Sequence, residues 1–254
     1  MKILLTNDDG VRADGMGVMR RIAAELSDDV WVCAPYSEQS AASRGVSLHN
    51  PVSLRKLDDR VYAVTGTPTD SIIVAMRDLF KDSPPDLILS GVNRGQNLAE
   101  DITFSGTVAG ALQGMQMGVP SIALSLARGF QGASSLPWDT AEAHAPNVIR
   151  KLLKAGWPSN VVPNVNFPDV PIEDVKGIEI TRQGHRDFQM SGVDKRQHPR
   201  GGHYFWLTYG AKKSNPPAGT DLRAIYDGYI SVTPLHTDLT HFEALDSLSH
   251  KMAD

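Results

Sequence analysis

Short apolar runs separated by helix-length stretches limit more than anything else what this chain can fold into. Runs with the brevity and branching of buried strands occupy residues 3–5, 30–34, 61–64, 87–89, 122–124 and 161–165. A strand covered on both faces reads as a continuous apolar run rather than as an alternation. Helical patterns lie between them, at 18–26, at 107–117, which is rich in small residues, and at 138–153. Another opens at Thr67-Pro68-Thr69-Asp70, a capping threonine with proline at the first helical position. It carries Ile72, Ile73, Met76, Leu79 and Phe80 on one face. Strands alternating with helices give parallel β-α-β units. The predicted fold is therefore α/β, a three-layer, doubly wound, mostly parallel Rossmann-like sheet.

From about Gly184 the alternation fades. Residues 183–202 are polar and rich in Gly, Arg and His, without helical period. Residues 203–209, HYFWLTY, read as an aromatic strand, 212–220 as a loop and 230–234 as one more strand. Residues 238–250 place Leu239, Phe242, Leu245 and Leu248 at spacings of three, a short amphipathic tail helix that must bury its stripe against something. There is no internal repeat and no low-complexity linker. Residues 1–254 are read as one α/β domain, with 183–254 supplying an extended peripheral arm and a C-terminal tail.

Composition narrows the function classes. With 254 residues, 41% hydrophobic and 21% charged, the chain is ordinary for a soluble globular protein and long enough for one large α/β domain. A net charge of −4 argues against a general nucleic-acid binder, and no duplex partner is expected. A local anion pocket remains open. The lone Cys33 sits in an apolar run and reads as a buried strand residue. One cysteine allows no disulfide within a chain, which fits a reducing compartment. No basic leader with an apolar core and no 18-residue apolar stretch occurs, so a cytoplasmic location without a membrane partner is expected.

The chemistry gathers where strands end. The first run leads straight into Asn7-Asp8-Asp9-Gly10. A turn needs one Asx residue and a glycine, and Asp-Gly alone would serve. The second carboxylate adds repulsion that a bound cation or solvent must relieve. Taken alone, the stretch reads as a solvated loop. In an open parallel sheet, however, ligands bind outside the carboxyl ends of the strands, near a switch in strand order. The second run ends in Cys33-Ala34-Pro35 and a loop with Glu38, Gln39 and Ser40; the fourth ends in Gly91-Val92-Asn93-Arg94-Gly95-Gln96-Asn97. Carboxylates, an amide carbonyl and a hydroxyl are hard donors suited to Mg²⁺ or Mn²⁺ rather than zinc. The stretch 104–110, FSGTVAG, enters a helix with bare backbone at its start, favourable to a phosphate. Ordinary capping by Ser105 explains it equally well. Ala109-Gly110-Ala111 reads as close packing of helix on sheet.

Together these residues resemble a known family. Asn7-Asp8-Asp9-Gly10, Ala34-Pro35 with Gln39-Ser40, Gly66-Thr67-Pro68, Ser90-Gly91-Val92-Asn93-Arg94-Gly95 and Ser105-Gly106-Thr107-Val108-Ala109-Gly110-Ala111 look like the successive motifs of SurE, the survival protein E nucleotidases. Thr233-Pro234-Leu235 with Asp238-Leu239-Thr240 is similar too. The resemblance runs essentially end to end and rests on order and spacing, since each motif alone is weak. It implies a metal-dependent phosphatase acting on 5′- and 3′-nucleoside monophosphates; some members also shorten polyphosphate. It further implies one divalent ion per subunit, Mg²⁺ or Mn²⁺, held by Asp8, Asp9, Ser40 and Asn93. By the same resemblance Asn97 and the turn Ser105-Gly106-Thr107 line the phosphate pocket, and exchanged C-terminal segments build a homodimer or homotetramer. Residues 183–202 and 130–135 are less typical of the family.

Such a ligand set suggests the mechanism. A divalent ion neutralises phosphate oxygens and lowers the pKa of a bound water. Asp8 and Asp9 are the candidate catalytic residues, with Asp9 the candidate base. Arg94, beside a glycine turn, reads as structural or solvated. The eight histidines show no metal-ligand spacing such as His-Glu-x-x-His. Two other classes stay open. In a covalent phosphatase Asp8 would attack phosphorus, although adjacent residues of an extended segment point opposite ways. A noncatalytic nucleotide or metal sensor would use the same fold. Neither Gly-x-x-x-x-Gly-Lys-Ser/Thr, nor a strand-linked Gly-x-Gly-x-x-Gly, nor Gly-x-Ser-x-Gly occurs, which disfavours an NTPase, a dehydrogenase and a hydrolase triad.

Overall fold

All six apolar runs become neighbouring parallel strands, seen in a computed structural model that describes residues 1–130, 136–186, 192–208 and 214–252. They are β1 (Lys2–Thr6), β2 (Asp29–Pro35), β4 (Val61–Val64), β5 (Leu87–Arg94), β6 (Ser121–Leu126) and β7 (Val162–Phe167), in the spatial order β4-β2-β1-β5-β6-β7. Three further strands widen the sheet: β3 (Leu54–Asp58) antiparallel to β4, β11 (Ile230–Leu235) antiparallel to β7, and β8 (Ile178–Ile180) parallel to β11. Ile3, Leu4, Leu5, Leu87, Ile88 and Leu89 have no exposed surface, as continuous apolar runs require. Helices cover both faces. α1 (Asp14–Ala24) and α4 (Trp138–Ala155) pack together on one side, α2 (Pro68–Val74) and α3 (Gly106–Gln116) on the other. The fold is the expected mostly parallel α/β sheet.

Local chemistry explains the element ends. Thr67 Oγ1 accepts from the Asp70 N–H (3.1 Å) while Asp70 Oδ2 accepts from the Thr67 N–H (2.9 Å), a reciprocal cap that starts α2. This helix does not run regularly to Phe80: after Val74 it widens into a π turn over Ala75–Leu79. The helix placed at 18–26 begins earlier, at Asp14, and the strand placed at 161–165 extends to Phe167.

The last third departs further from its pattern. The polar stretch after Gly184 contains β9 (Gly192–Gln197), which pairs antiparallel with the aromatic strand β10 (His203–Thr208). A short α5 (Asp221–Tyr226) precedes β11, and the tail helix α6 spans Phe242–Lys251 with His241 as its cap, leaving Leu239 outside it. Within the single chain the tail stripe is uncovered: Leu239, Phe242, Leu245 and Leu248 are 88, 59, 50 and 56% exposed. Phe205, Trp206 and Leu207 of the hairpin are exposed as well. Residues 131–135 of the atypical loop, 187–191 of the polar stretch, Tyr209 of the aromatic run and 212–213 of the following loop lie outside the described residues. No helix among the described residues is long and apolar enough to cross a membrane.

Candidate functional site

Strand order fixes where a ligand can bind. From β1 the chain winds outward through β2 to β4, then returns to β5 on the other side of β1 and continues to β6 and β7. The crevice between the carboxyl ends of β1 and β5 is therefore the switch point of the sheet. Asp8 and Asp9 leave β1 there, and Asn93 and Arg94 end β5 there.

Four elements meet on the aspartates. The Gln39 N–H, from the loop after β2, donates to the Asp8 carbonyl oxygen at 2.7 Å. Thr107 Oγ1, in the first turn of α3, donates to Asp8 Oδ1. Asp9 Oδ2 accepts from the Arg94 N–H at 3.1 Å. Gly106 backs directly onto Asp8, and a Cβ there would sit 2.7 Å from the Asp8 Cβ. The start of α3 thus approaches the first aspartate as closely as a bare backbone permits. Gly110, one turn on, lies where a Cβ would meet Thr6 and Ser90 side chains near 3 Å, so the small-residue run is a packing device, as read from sequence.

Burial sets the electrostatics. Asp8 is 4% exposed, and burial pushes its carboxyl from 3.8 up to about 6. The Thr107 hydroxyl partly offsets this and the neighbouring Asp9 adds to it. Asp9 is also raised, by burial first and by the charge of Glu38, against the Arg94 N–H and the Arg94 and Arg128 charges. Two adjacent carboxylates disfavoured as anions, beside amide and hydroxyl oxygens, form a donor set that fits a hard divalent cation. Among the described residues no group of three or more His, Cys, Asp or Glu is placed to hold a metal ion, so neutral oxygens would have to complete any such shell.

The other predicted residues take distinct positions. Asn93 is half-buried; its Nδ2 donates to the Gly95 carbonyl oxygen at 2.8 Å, which leaves the amide oxygen as the free end. Ser40 is exposed at the rim, its Oγ donating to Glu38 Oε1 at 2.9 Å, and makes no hydrogen bond to either aspartate. Ser105 caps α3 by accepting from the Val108 N–H at 3.0 Å. Asn97 is 6% exposed and tied by Nδ2 to Ser125 Oγ at 2.8 Å. Sequence reasoning overlooked Arg128, whose charge acts on Asp9, and the β7 amides Asn164 and Asn166 that hold Asn97. The only signal for the amides was polar residues interrupting an otherwise apolar strand.

Known proteins share this architecture over its full length. The family described as Survival protein SurE matches residues 3–190. A protein of Caulobacter vibrioides named 5′-nucleotidase SurE is 57% identical over 249 residues, 98% of this chain and 95% of that one. A protein of the same name from Phenylobacterium zucineum is 54% identical over 252 residues, covering 99% and 97% of the two chains. The crystal structure of the SurE protein from Aquifex aeolicus superposes with a TM-score of 0.83 at 36% identity, covering all of both chains.

Proposed function

The chain belongs to the SurE family, and from that premise we propose that it is a nucleotide phosphatase that hydrolyses 5′- and 3′-nucleoside monophosphates with one divalent ion, Mg²⁺ or Mn²⁺, per subunit. Asp8, Asp9, Asn93 and Ser40 would hold the ion, the last after its hydroxyl turns from Glu38. When bound, such an ion neutralises phosphate oxygens and lowers the pKa of water toward neutrality. The observation that carries this reading is Asp8 itself: a nearly buried carboxylate with Thr107, Gly106 and Gln39 closed around it.

The protein's own residues divide the remaining work. Asp9, half-buried and raised in pKa, takes the proton of the attacking water as the O–P bond forms. The first amides of α3, at Gly106 and Thr107, and the Asn97 amide receive the phosphate oxygens, where the helix dipole favours negative charge. As water adds to phosphorus the ester O–P bond breaks, the proton held by Asp9 passes to the departing nucleoside oxygen, and nucleoside and phosphate leave with Asp9 again ionised. Polyphosphate shortening would use the same pocket. The uncovered stripe of the tail supports a homodimer or homotetramer formed through the C-terminal segments. A cytoplasmic location agrees with the buried, unpaired Cys33.

A panel of 5′- and 3′-nucleoside monophosphates, incubated with Mg²⁺, Mn²⁺ or chelator and assayed for free phosphate, tests this directly. Release that needs a divalent ion and stops with chelator is expected. Phosphate release indifferent to chelator, or an acid-stable acyl phosphate trapped on Asp8, would replace this mechanism; no release with any ion would leave a sensor.

A further inference from the structure

Past Arg94 the chain leaves the β5 edge, yet it stays buried through Asn97, Leu98 and Ala99. Backbone polar groups buried without a strand partner must find one elsewhere. At Asn97 the partners are side chains of β7. Asn166 Oδ1 accepts from the Asn97 N–H at 2.8 Å, and Asn166 Nδ2 donates to the Asn97 carbonyl oxygen at 3.2 Å. Asn164 Nδ2 donates to that same carbonyl at 2.9 Å. One amide therefore grips both polar groups of one backbone residue, as a neighbouring strand would. Asn164 and Asn166 lie two apart on one face of β7, both without exposed surface. Ser125, the register partner of Asn166 on β6, accepts from Asn97 Nδ2 at 2.8 Å. With Asn97 Nδ2 as the donor of that contact, the second N–H of the amide has no partner among the described residues.

We infer that Asn166 is a positioning residue, whose two-point grip on the Asn97 backbone aims the remaining Asn97 N–H at the phosphate. This rests on the reading above that Asn97 contacts phosphate. It assigns a task to a residue some 70 positions away in sequence that touches neither the aspartates nor the proposed substrate.

Asn166→Asp keeps the shape and the acceptor but sets a second acceptor against the Asn97 carbonyl. Steady-state kinetics on a 5′-nucleoside monophosphate, inhibition by inorganic phosphate and Mn²⁺ titration would be measured below the melting temperature of each variant. The expected result is a drop in kcat/KM of at least tenfold, a matching loss of phosphate inhibition and Mn²⁺ affinity within about twofold of the parent. Combined with Asn97→Ala, Asn166→Asp should cost nothing further, because both act through one side chain. Losses that multiply in the double variant, or parental kinetics and phosphate inhibition in Asn166→Asp, would overturn the inference alone. Parental behaviour of Asn97→Ala would remove the phosphate reading and the inference with it. If Asn166→Asp does not fold, Ser125→Ala, which frees the Asn97 amide to rotate, is judged by the same criteria.

Discussion

Asp8 is held in conflict by the fold around it. An acid whose folded pKa is raised binds its proton more tightly in the native state than when unfolded. Protonation then favours folding, and that advantage is lost as pH rises through the folded value. For Asp8 the window runs from 3.8 to about 6. At about 1.4 kcal/mol per unit, its share is about 3 kcal/mol of stability lost by the metal-free protein across that range. Asp9, shifted the same way, adds to the trend. Asp8→Asn removes the titration yet keeps an acceptor for Thr107. Denaturant unfolding in chelator should therefore show the variant more stable than the parent above pH 6, with a flatter profile between 4 and 6. A variant that is less stable than the parent at pH 7 without metal would mean that the carboxylate serves the fold and not a cation.

At the level of elements, buried area outweighs visible ion pairs. Arg21 and Glu142 join α1 to α4 through two hydrogen bonds of 2.7 Å, but the side chains are 58 and 30% exposed. Such a pair contributes at most about 1 kcal/mol. Ile149 of α4 has no exposed surface, and truncating it to alanine should cost about 2–5 kcal/mol. Urea melts of Arg21→Ala and Ile149→Ala should rank the two in that order, with the core variant several times more costly. The same contrast explains what could be read from the sequence. Strands buried on both faces announce themselves as apolar runs, so β1, β5 and β6 were legible, and with them the strand ends that carry Asp8, Asp9 and Asn93. β3 (LRKLD), β8 (IEI) and β9 (GVDKRQ) are short edge or hairpin strands without a buried residue and with no run to betray them. The apolar run 161–165 stops short of the end of β7, because Asn166 does not read as a core strand residue. It is polar because it faces the Asn97 loop, a contact that only the fold reveals. Ser40 stands out in the sequence only through its motif, and nothing there shows that its hydroxyl rests on Glu38.

For the whole molecule, the described residues of the single chain leave apolar surface open on the β9–β10 hairpin and on the tail around α6. Contiguous exposed apolar surface is uncommon in soluble monomers, which makes the tail the segment to test for joining subunits. Removing residues 236–254 should lower the mass seen by light scattering, with an unchanged mass counting against the tail as the joining element. The central claim, however, lies in the crevice between β1 and β5: Asp8 and Asp9 stand together to hold a divalent ion that phosphate release requires. Asp9→Asn preserves the acceptor for the Arg94 N–H while removing one charge and the proposed base. Calorimetric Mn²⁺ titration of parent and variant, paired with phosphate release from a nucleoside monophosphate, is the most direct measurement. The parent should bind one Mn²⁺ per chain and turn over; Asp9→Asn should bind it at least tenfold more weakly, turn over at least a hundredfold more slowly and keep its metal-free fold. A variant that matches the parent in both Mn²⁺ affinity and turnover would return the paired aspartates to the role of a structural turn.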